Sequence, residues 1–218
     1  LIFAEGDFLP GLVVDRFSNL VVIDCQTTGM RRLIQQIKDI LLQNLVGEID
    51  QIIETHSEDE SRAVEILQNG LKFIVQAGGG QKTGFFLDQR DSRSIVRKYA
   101  SGRRVLDTFC YSGGFAVHAL AGNANSVTLV DSSQPALELA LQNMHLNQYG
   151  DRCQFIKADC LNYLHGEIGE YDLIILDPPA FVKHRAALSG GRKGYETINR
   201  LAIEKIAKGG LIATFSCS

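Results

Sequence analysis

The feature that most constrains this chain is a rhythm in its second half. Apolar runs at 103–107, 126–131, 153–157, 171–176 and 210–215 alternate with stretches of helical period at about 113–121, 133–146, 159–165 and 195–207. Such alternation builds βαβ units, and these pack into a parallel sheet with helices on its faces. Asp107, Asp131 and Asp177 close three of the first four runs, and Asp159 follows the other. Parallel strands end on one edge, and doubly wound sheets bind ligands in the crevice beyond it. A single acid at a strand end is ordinarily a helix cap or a turn former. Four in register predict one shared site.

The first of these strands runs into Asp107-Thr-Phe-Cys110-Tyr-Ser-Gly113-Gly114. The two glycines let the backbone turn and approach a ligand without a Cβ in the way. Asp131 lies roughly 20 residues past the turn, where an acid can accept both hydroxyls of a ribose. A dinucleotide would ask for G-x-G-x-x-G with helix amides aimed at a pyrophosphate. The turn lacks that spacing. S-adenosylmethionine carries ribose and adenine but no phosphate and suits the pattern better. The expected cofactor residues are Asp107, Cys110, Gly113, Gly114, Asp131, Ser132, Asp159 and Asp177, with Cys110 packing inside the turn.

The fourth run ends in Asp177-Pro-Pro-Ala-Phe181. A residue before proline is pushed to extended geometry, so Asp177 stands straight at the strand tip. Its carboxylate suits the polar edge of a planar base, and Phe181 suits the base's face. The fifth run ends in Phe215-Ser-Cys217. A lone cysteine there is ordinarily a small buried hydrophobe. At the rim of the same crevice, a Cys217 thiolate is also a candidate nucleophile. Residues 183–193 hold four basic residues, Lys183, Arg185, Arg192 and Lys193, and no acid. With two adjacent glycines they read as a mobile loop whose cations contact phosphates, which positions nucleic acid without specifying sequence.

The first part of the chain reads differently. Strands are expected at 11–15, 20–25 and 49–54, with a helix over about 30–46, and Asn69-Gly70 predicts a hairpin between 64–67 and 71–76. Residues 1–77 thus form a small α+β domain. The Gly78-Gly79-Gly80 joint separates it from a second domain, 78–218, which opens with a helix over about 89–99. Residues 1–80 carry 6 Lys/Arg against 12 Asp/Glu, while 81–218 carry 16 against 13. A protein gripping nucleic acid mainly through phosphates is usually more basic, so either the partner is not nucleic acid or much of the grip lies outside this chain. The five cysteines have no C-x-x-C spacing, which argues against a disulfide framework or a zinc site and for a reducing, cytoplasmic setting. No apolar run approaches the roughly 20 residues of a membrane span. The chain opens on Leu1 without Met and reads as an excerpt of something longer.

Several stretches together resemble the bacterial large-subunit ribosomal RNA cytosine-C5 methyltransferases of the RlmI type. They are Gly80-Gln-Lys82-Thr83-Gly84 through Asp88-Gln89-Arg90 to Arg93, the Asp107 turn, Asp177-Pro-Pro-Ala-Phe181, Ser216-Cys217-Ser218, and the opening Glu5-Gly-Asp-Phe-Leu-Pro10 to Arg16. The resemblance implies a class I methyltransferase fold, Rossmann-like, after a small α+β domain. It also implies an RNA-binding PUA domain before this chain, and a last helix and two strands beyond its fifth sheet strand. The implied cofactor is S-adenosylmethionine and the implied partner is ribosomal RNA of the large subunit. No metal and no membrane are expected, and a homodimer is left open.

By the same resemblance, the Cys217 thiolate adds to C6 of cytosine, C5 becomes the nucleophile that accepts the methyl, and Asp177 bonds N3 or N4. Lys82, Arg90 and Arg93 carry the signature and are expected to face the crevice, Arg90 foremost, as a cofactor contact, with Lys82 on the substrate side. Three other readings stay open. They are methyl transfer to a base nitrogen, which needs no thiol; a nucleoside- or RNA-binding module without catalysis; and an NAD-linked oxidoreductase, which the glycine spacing disfavours.

Overall fold

The structure is a computed structural model that describes residues 1–55, 62–78, 83–166, 169–182 and 188–216. The chain divides into two compact units, Leu1–Asp88 and Gln89–Ser218. Gly78 and the ten residues after it therefore fall in the first unit.

In the first unit, β1 (Ile2–Phe3), β2 (Leu12–Phe17), β3 (Leu20–Cys25) and β4 (Gln51–Glu54) form a sheet in that spatial order. The β1–β2 and β2–β3 pairs are antiparallel, and β3–β4 is parallel. The parallel pair needs a crossover, which α1 (Thr28–Arg32) and α2 (Ile34–Asn44) supply. A single helix is expected over this stretch, but it breaks at Leu33 (φ −96°, ψ 2°), and the Thr27 side chain caps the first piece by accepting the Met30 amide. Leu12, Val14, Val21, Ile23 and Leu41 make the core between sheet and helix. Strands β5 (Arg62–Gln68) and β6 (Leu71–Ala77) pair as a hairpin. Asn69 and Gly70 at its tip both have positive φ, 53° and 79°, the signature of a type I′ turn.

The second unit opens with α3 (Arg90–Tyr99). It continues as β7 (Arg104–Thr108), α4 (Gly114–Ala121), β8 (Ser126–Asp131), α5 (Gln134–Leu146), β9 (Cys153–Lys157), α6 (Cys160–His165), β10 (Tyr171–Leu176), α7 (Leu188–Lys205) and β11 (Ile206–Thr214). The spatial order is β11-β10-β7-β8-β9, and every pair is parallel. The chain runs outward from β7 to β9, then returns to place β10 on the other side of β7. The switch point, where an open α/β sheet binds its ligand, lies between β7 and β10.

Residue parity then sorts the two faces. Leu106, Val130, Ile174 and Leu176 pack with Leu164 of α6 and with Ile198 and Leu201 of α7. Val105, Asp107, Leu129 and Ile175 alternate with them and point to the α4–α5 side.

The expected loop over 183–193 needs correction. Residues 183–187 lie outside the described residues, but 188–193 are helical, the first part of α7. Two adjacent glycines make poor helix formers, yet a tertiary contact overrides propensity here. A Cβ on Gly191 would come within 2.2 Å of the Val182 side chain, and one on Gly194 within 3.1 Å of the Phe181 ring. The missing side chains let the strand-end segment lie against the helix.

Candidate cofactor and base site

The turn after β7 is built on alternating left-handed residues: Phe109 (φ 57°), Tyr111 (φ 46°) and Gly113 (φ 72°). Bulky residues at positive φ cost about 1–2 kcal/mol each and persist only where their surroundings fix them. Here the surroundings do so. The Phe109 amide donates to the Cys160 sulfur, the Cys110 amide to the Val130 carbonyl, the Tyr111 amide to Asp131 Oδ2 at 3.0 Å, and the Gly113 amide to the Cys110 carbonyl. Buried Asn143 of α5 donates to the Ser112 carbonyl. A Cβ on Gly113 would meet Ala140, Met144 and Leu129 at 3.1–3.3 Å, so this glycine answers a packing need as well as a conformational one.

Gly113 offers no side chain to cap α4, and Asp107 takes that role from the strand. Its Oδ2 accepts the Ala116 amide at 3.1 Å, while Oδ1 has no hydrogen-bond partner among the described residues. Asp107 is 1% exposed. Burial foremost, then the Asp177 and Asp131 charges, push its carboxyl up to about 8. Asp131 is half-exposed and uses both oxygens, Oδ2 for Tyr111 and Oδ1 for the Ser133 amide. A carboxylate oxygen that accepts one N–H keeps acceptor capacity for a second donor. Asp177 follows β10, half-exposed, and its Oδ1 lies 3.4 Å from Gln89 Nε2.

Asp131 and Asp177 both bear on Asp107. Asp159, next to the Ala158 whose amide donates to the Asp131 carbonyl, caps α6 by accepting the Asn162 amide at 2.9 Å. Cys110 is buried, and desolvation with neighbouring acids pushes its thiol up, so it stays neutral and packs. Ser132 is exposed at the start of the next turn.

The basic residues distribute in a way the sequence does not disclose. Arg90 is exposed at the start of α3, whereas Arg93, one turn on, is buried. The Arg93 guanidinium occupies the space of a Gly114 Cβ (Nε at 2.8 Å) and lies 5.9 Å from the centroid of the Phe115 ring. The sequence signal is present in hindsight: Gly114 opens a helix with no conformational need, since only Gly113 has positive φ. His118, also buried, sets its Nδ1 2.9 Å from the Gly114 carbonyl oxygen. Burial holds its imidazole down at about 4, so it is neutral and donates that hydrogen bond.

Phe181 is half-buried with its ring tilted against Tyr195, centroids 4.7 Å apart. Arg192 and Lys193 are exposed on α7. The signature's Thr83 and Gly84 tie into the first unit. Thr83 Oγ1 donates to Asp15 Oδ2 at 2.5 Å, and Gly84 (φ 113°) sits where a Cβ would strike the Gln76 carbonyl. Lys82, Lys183, Arg185 and Cys217 lie outside the described residues. Phe215 lies within the described residues. The Phe215 amide donates to the Leu176 carbonyl at 2.9 Å, and its ring stacks on Phe115, centroids 5.1 Å apart. No group of three or more His, Cys, Asp or Glu side chains among the described residues could hold a metal ion.

A family model described as S-adenosylmethionine-dependent methyltransferase matches residues 21–217. The chain belongs to that methyltransferase family. The Ribosomal RNA large subunit methyltransferase I of Aeromonas salmonicida is 40% identical, over 99% of this chain and 59% of that protein. That of Pseudoalteromonas atlantica is also 40% identical, over 100% of this chain and 60% of its own. The chain spans about three fifths of the length of these relatives. Among solved structures, SMU.776, a methyltransferase candidate complexed with SAH, superposes with a TM-score of 0.82 at 26% identity, covering 97% of this chain and 59% of that one. A tRNA methyltransferase of M. jannaschii, with a TM-score of 0.70 at 18% identity over 93% of this chain and 61% of its own, shares the fold.

The residues present fit the cofactor of this methyltransferase family. A buried carboxyl oxygen with no hydrogen-bond partner among the described residues, with two more acidic side chains near it, supplies acceptors and negative charge for a ligand that is cationic and rich in hydroxyls. A phosphate would be repelled there.

Proposed function

We propose that this chain is the catalytic portion of an enzyme that methylates C5 of a cytosine in large-subunit ribosomal RNA, in the cytoplasm. One observation carries the reading: the end of β11 is bonded to the end of β10. The Phe215 amide donates to the Leu176 carbonyl, and in sequence Cys217 follows the first by two residues and Asp177 follows the second directly, which supports the reading. A thiol and a base-binding carboxylate at adjacent strand ends are what C5 chemistry needs.

Asp107, Asp131 and the turn over 109–114 would hold S-adenosylmethionine, with Ser132 at the turn's edge. Bound there, the cofactor supplies an electrophilic methyl group. The chain's own part is to make C5 a nucleophile. The Cys217 thiolate adds to C6, and the C5–C6 π electrons become available at C5 as in an enamine. Asp177 accepts from the N4 amino group as a carboxylate, and in its protonated form it donates to N3, where negative charge develops on addition. Loss of the C5 proton then expels the thiolate and restores the ring. Pro178 and Pro179 fix the Asp177 backbone, so the carboxylate enters the reaction already oriented.

Phe181 contributes an aromatic edge beside a base that is single-stranded or flipped. Lys82, Lys183, Arg185, Arg192 and Lys193 would meet phosphates, positioning the RNA. The names of the relatives support the ribosomal substrate.

The test is nucleoside mass spectrometry of unmodified ribosomal RNA incubated with the full-length protein and cofactor. The wild type is expected to yield 5-methylcytidine, and Cys217→Ala none. Unchanged turnover in Cys217→Ala would shift the reading to a base nitrogen.

A further inference from the structure

Asp107 departs from what a cofactor-turn acid ordinarily does. It is sealed from solvent, it spends one oxygen on capping α4, and its other oxygen has no partner among the described residues. Strand register places two more acids against it. Asp107 pairs with Ile175 on β10 and with Leu129 on β8. Asp131 ends β8 two residues beyond Leu129, hence on the same face, and Asp177 is the first residue after β10; both charges act on Asp107.

The charged and titratable groups that bear on Asp107 are Asp177 from the end of β10, Asp131 from the end of β8, Arg93 from α3, Cys110 from the turn and Cys160 from α6. The Ala116 amide of α4 is its hydrogen-bond donor. Three acidic side chains close together at one sheet edge do not all ionise; the most buried one keeps its proton. Asp107 is that one, and Arg93 offsets the effect least of these influences.

We propose that Asp107 senses the charge on the cofactor sulfur: it is neutral in the free protein, releases its proton to solvent when the sulfonium donor binds, and regains one once the sulfur has become a neutral thioether. This rests on the cofactor reading of the site. The donor and its demethylated product share the amine, the carboxylate and the nucleoside, and they differ by one methyl and one positive charge. A site poised at the ionisation of a buried acid converts that one charge into a full proton. Binding of the donor is therefore proton-coupled. Loss of the methyl leaves Asp107 as an uncompensated buried anion until it is reprotonated, which favours a pocket that lets the product go.

The experiment is titration calorimetry of the full-length protein with S-adenosylmethionine and with S-adenosylhomocysteine, in buffers of different ionisation enthalpy between pH 6 and 9. Near pH 6.5 the donor is expected to release close to one proton and the product close to none. The amine common to both ligands cancels in the comparison. Donor affinity rises up to about tenfold per pH unit below the Asp107 ionisation and levels above it. Asp107→Asn keeps an acceptor for Ala116 and is expected to abolish the release. Asp177→Asn keeps the release but moves its midpoint to lower pH. Equal proton release with both ligands, no release with the donor, or release that survives in Asp107→Asn would each overturn the proposal. Absence of binding by either ligand would instead remove the cofactor reading itself.

Discussion

Asp107 Oδ2 accepts the amide of Ala116, nine residues on, at 3.1 Å, so a strand residue caps the helix that follows it. The cap holds α4 onto β7 and buries a carboxyl in the process. His118, on α4, is buried with the opposite consequence for its pKa, and it too stays neutral. The two groups give the apo protein a distinctive pH profile. Asp107 ionises at about 8 instead of 3.8, so its contribution to stability is complete below about pH 4 and declines as pH rises to 8. His118 ionises at about 4 instead of 6.5, so its contribution is complete above 6.5 and declines as pH falls to 4. Each slope approaches roughly 1.4 kcal/mol per pH unit. Between pH 4 and 6.5 they oppose and cancel; between 6.5 and 8 Asp107 acts alone. Thermal unfolding of the apo protein should therefore show a plateau and then a decline above pH 6.5. In Asp107→Asn the decline should vanish and a rise should appear between pH 4 and 6.5. A wild-type profile that climbs steadily from pH 6.5 to 8 would contradict this assignment.

The physics behind these elements differs in how far it can be read from the chain. The parallel sheet is legible because alternation is a local pattern, and the Asn69-Gly70 hairpin because its turn needs two residues at positive φ. The four acids are legible as a rim, but not their division of labour. That Asp159 caps α6 while Asp107 stays buried depends on which neighbours the register supplies. The Leu33 break leaves no glycine or proline to announce it. Arg90 and Arg93 look alike in sequence, and only the packing of α3 against α4 buries the second. The start of α7 is hidden because Gly190 and Gly191 read as a loop until Val182 is seen filling the space beside one of them.

Those two glycines should respond in opposite directions. A Cβ on Gly190 meets nothing within 4 Å. Gly190→Ala should then stabilise α7 by roughly 0.5–1 kcal/mol through helix propensity. A Cβ on Gly191 meets Val182 at 2.2 Å and the Phe181 backbone at 3.1 Å. Gly191→Ala should cost about 1–3 kcal/mol by overpacking. It should also loosen the segment after Asp177, seen as faster amide hydrogen exchange at residues 180–182, since Pro178 and Pro179 carry no amide proton. Stabilisation by both substitutions would show that the segment does not bear on the helix.

Arg93 and Gly114 form a pair whose members should not be substituted independently. With Arg93 in place, Gly114→Ala forces a buried guanidinium to move, since its Nε lies 2.8 Å from the new methyl. With Arg93→Ala the space is open, and the same change gains helix propensity. A double-mutant cycle on thermal or urea unfolding should give a coupling of about 1–3 kcal/mol, the range of residues in contact. Additivity within about 0.5 kcal/mol would mean that the guanidinium does not occupy that space.

Phe215 joins strand stability to chemistry. Its amide bonds to the Leu176 carbonyl, and its ring stacks on Phe115 with 27° between the planes. Truncating the ring leaves the hydrogen bond and removes the stack, a loss of about 0.5–1.5 kcal/mol beyond the area uncovered. The end of β11 then keeps its register and loses its lateral anchor, and Ser216 and Cys217 follow that anchor directly. Phe215→Ala should therefore lower kcat on ribosomal RNA by roughly tenfold or more, because a misplacement near 1 Å costs about that or worse in an oriented reaction. Cofactor affinity should change little. Phe215→Leu restores apolar volume without a ring and should recover stability more than turnover. A Phe215→Ala enzyme with normal kcat would show that the stack holds the strand but does not aim the thiol.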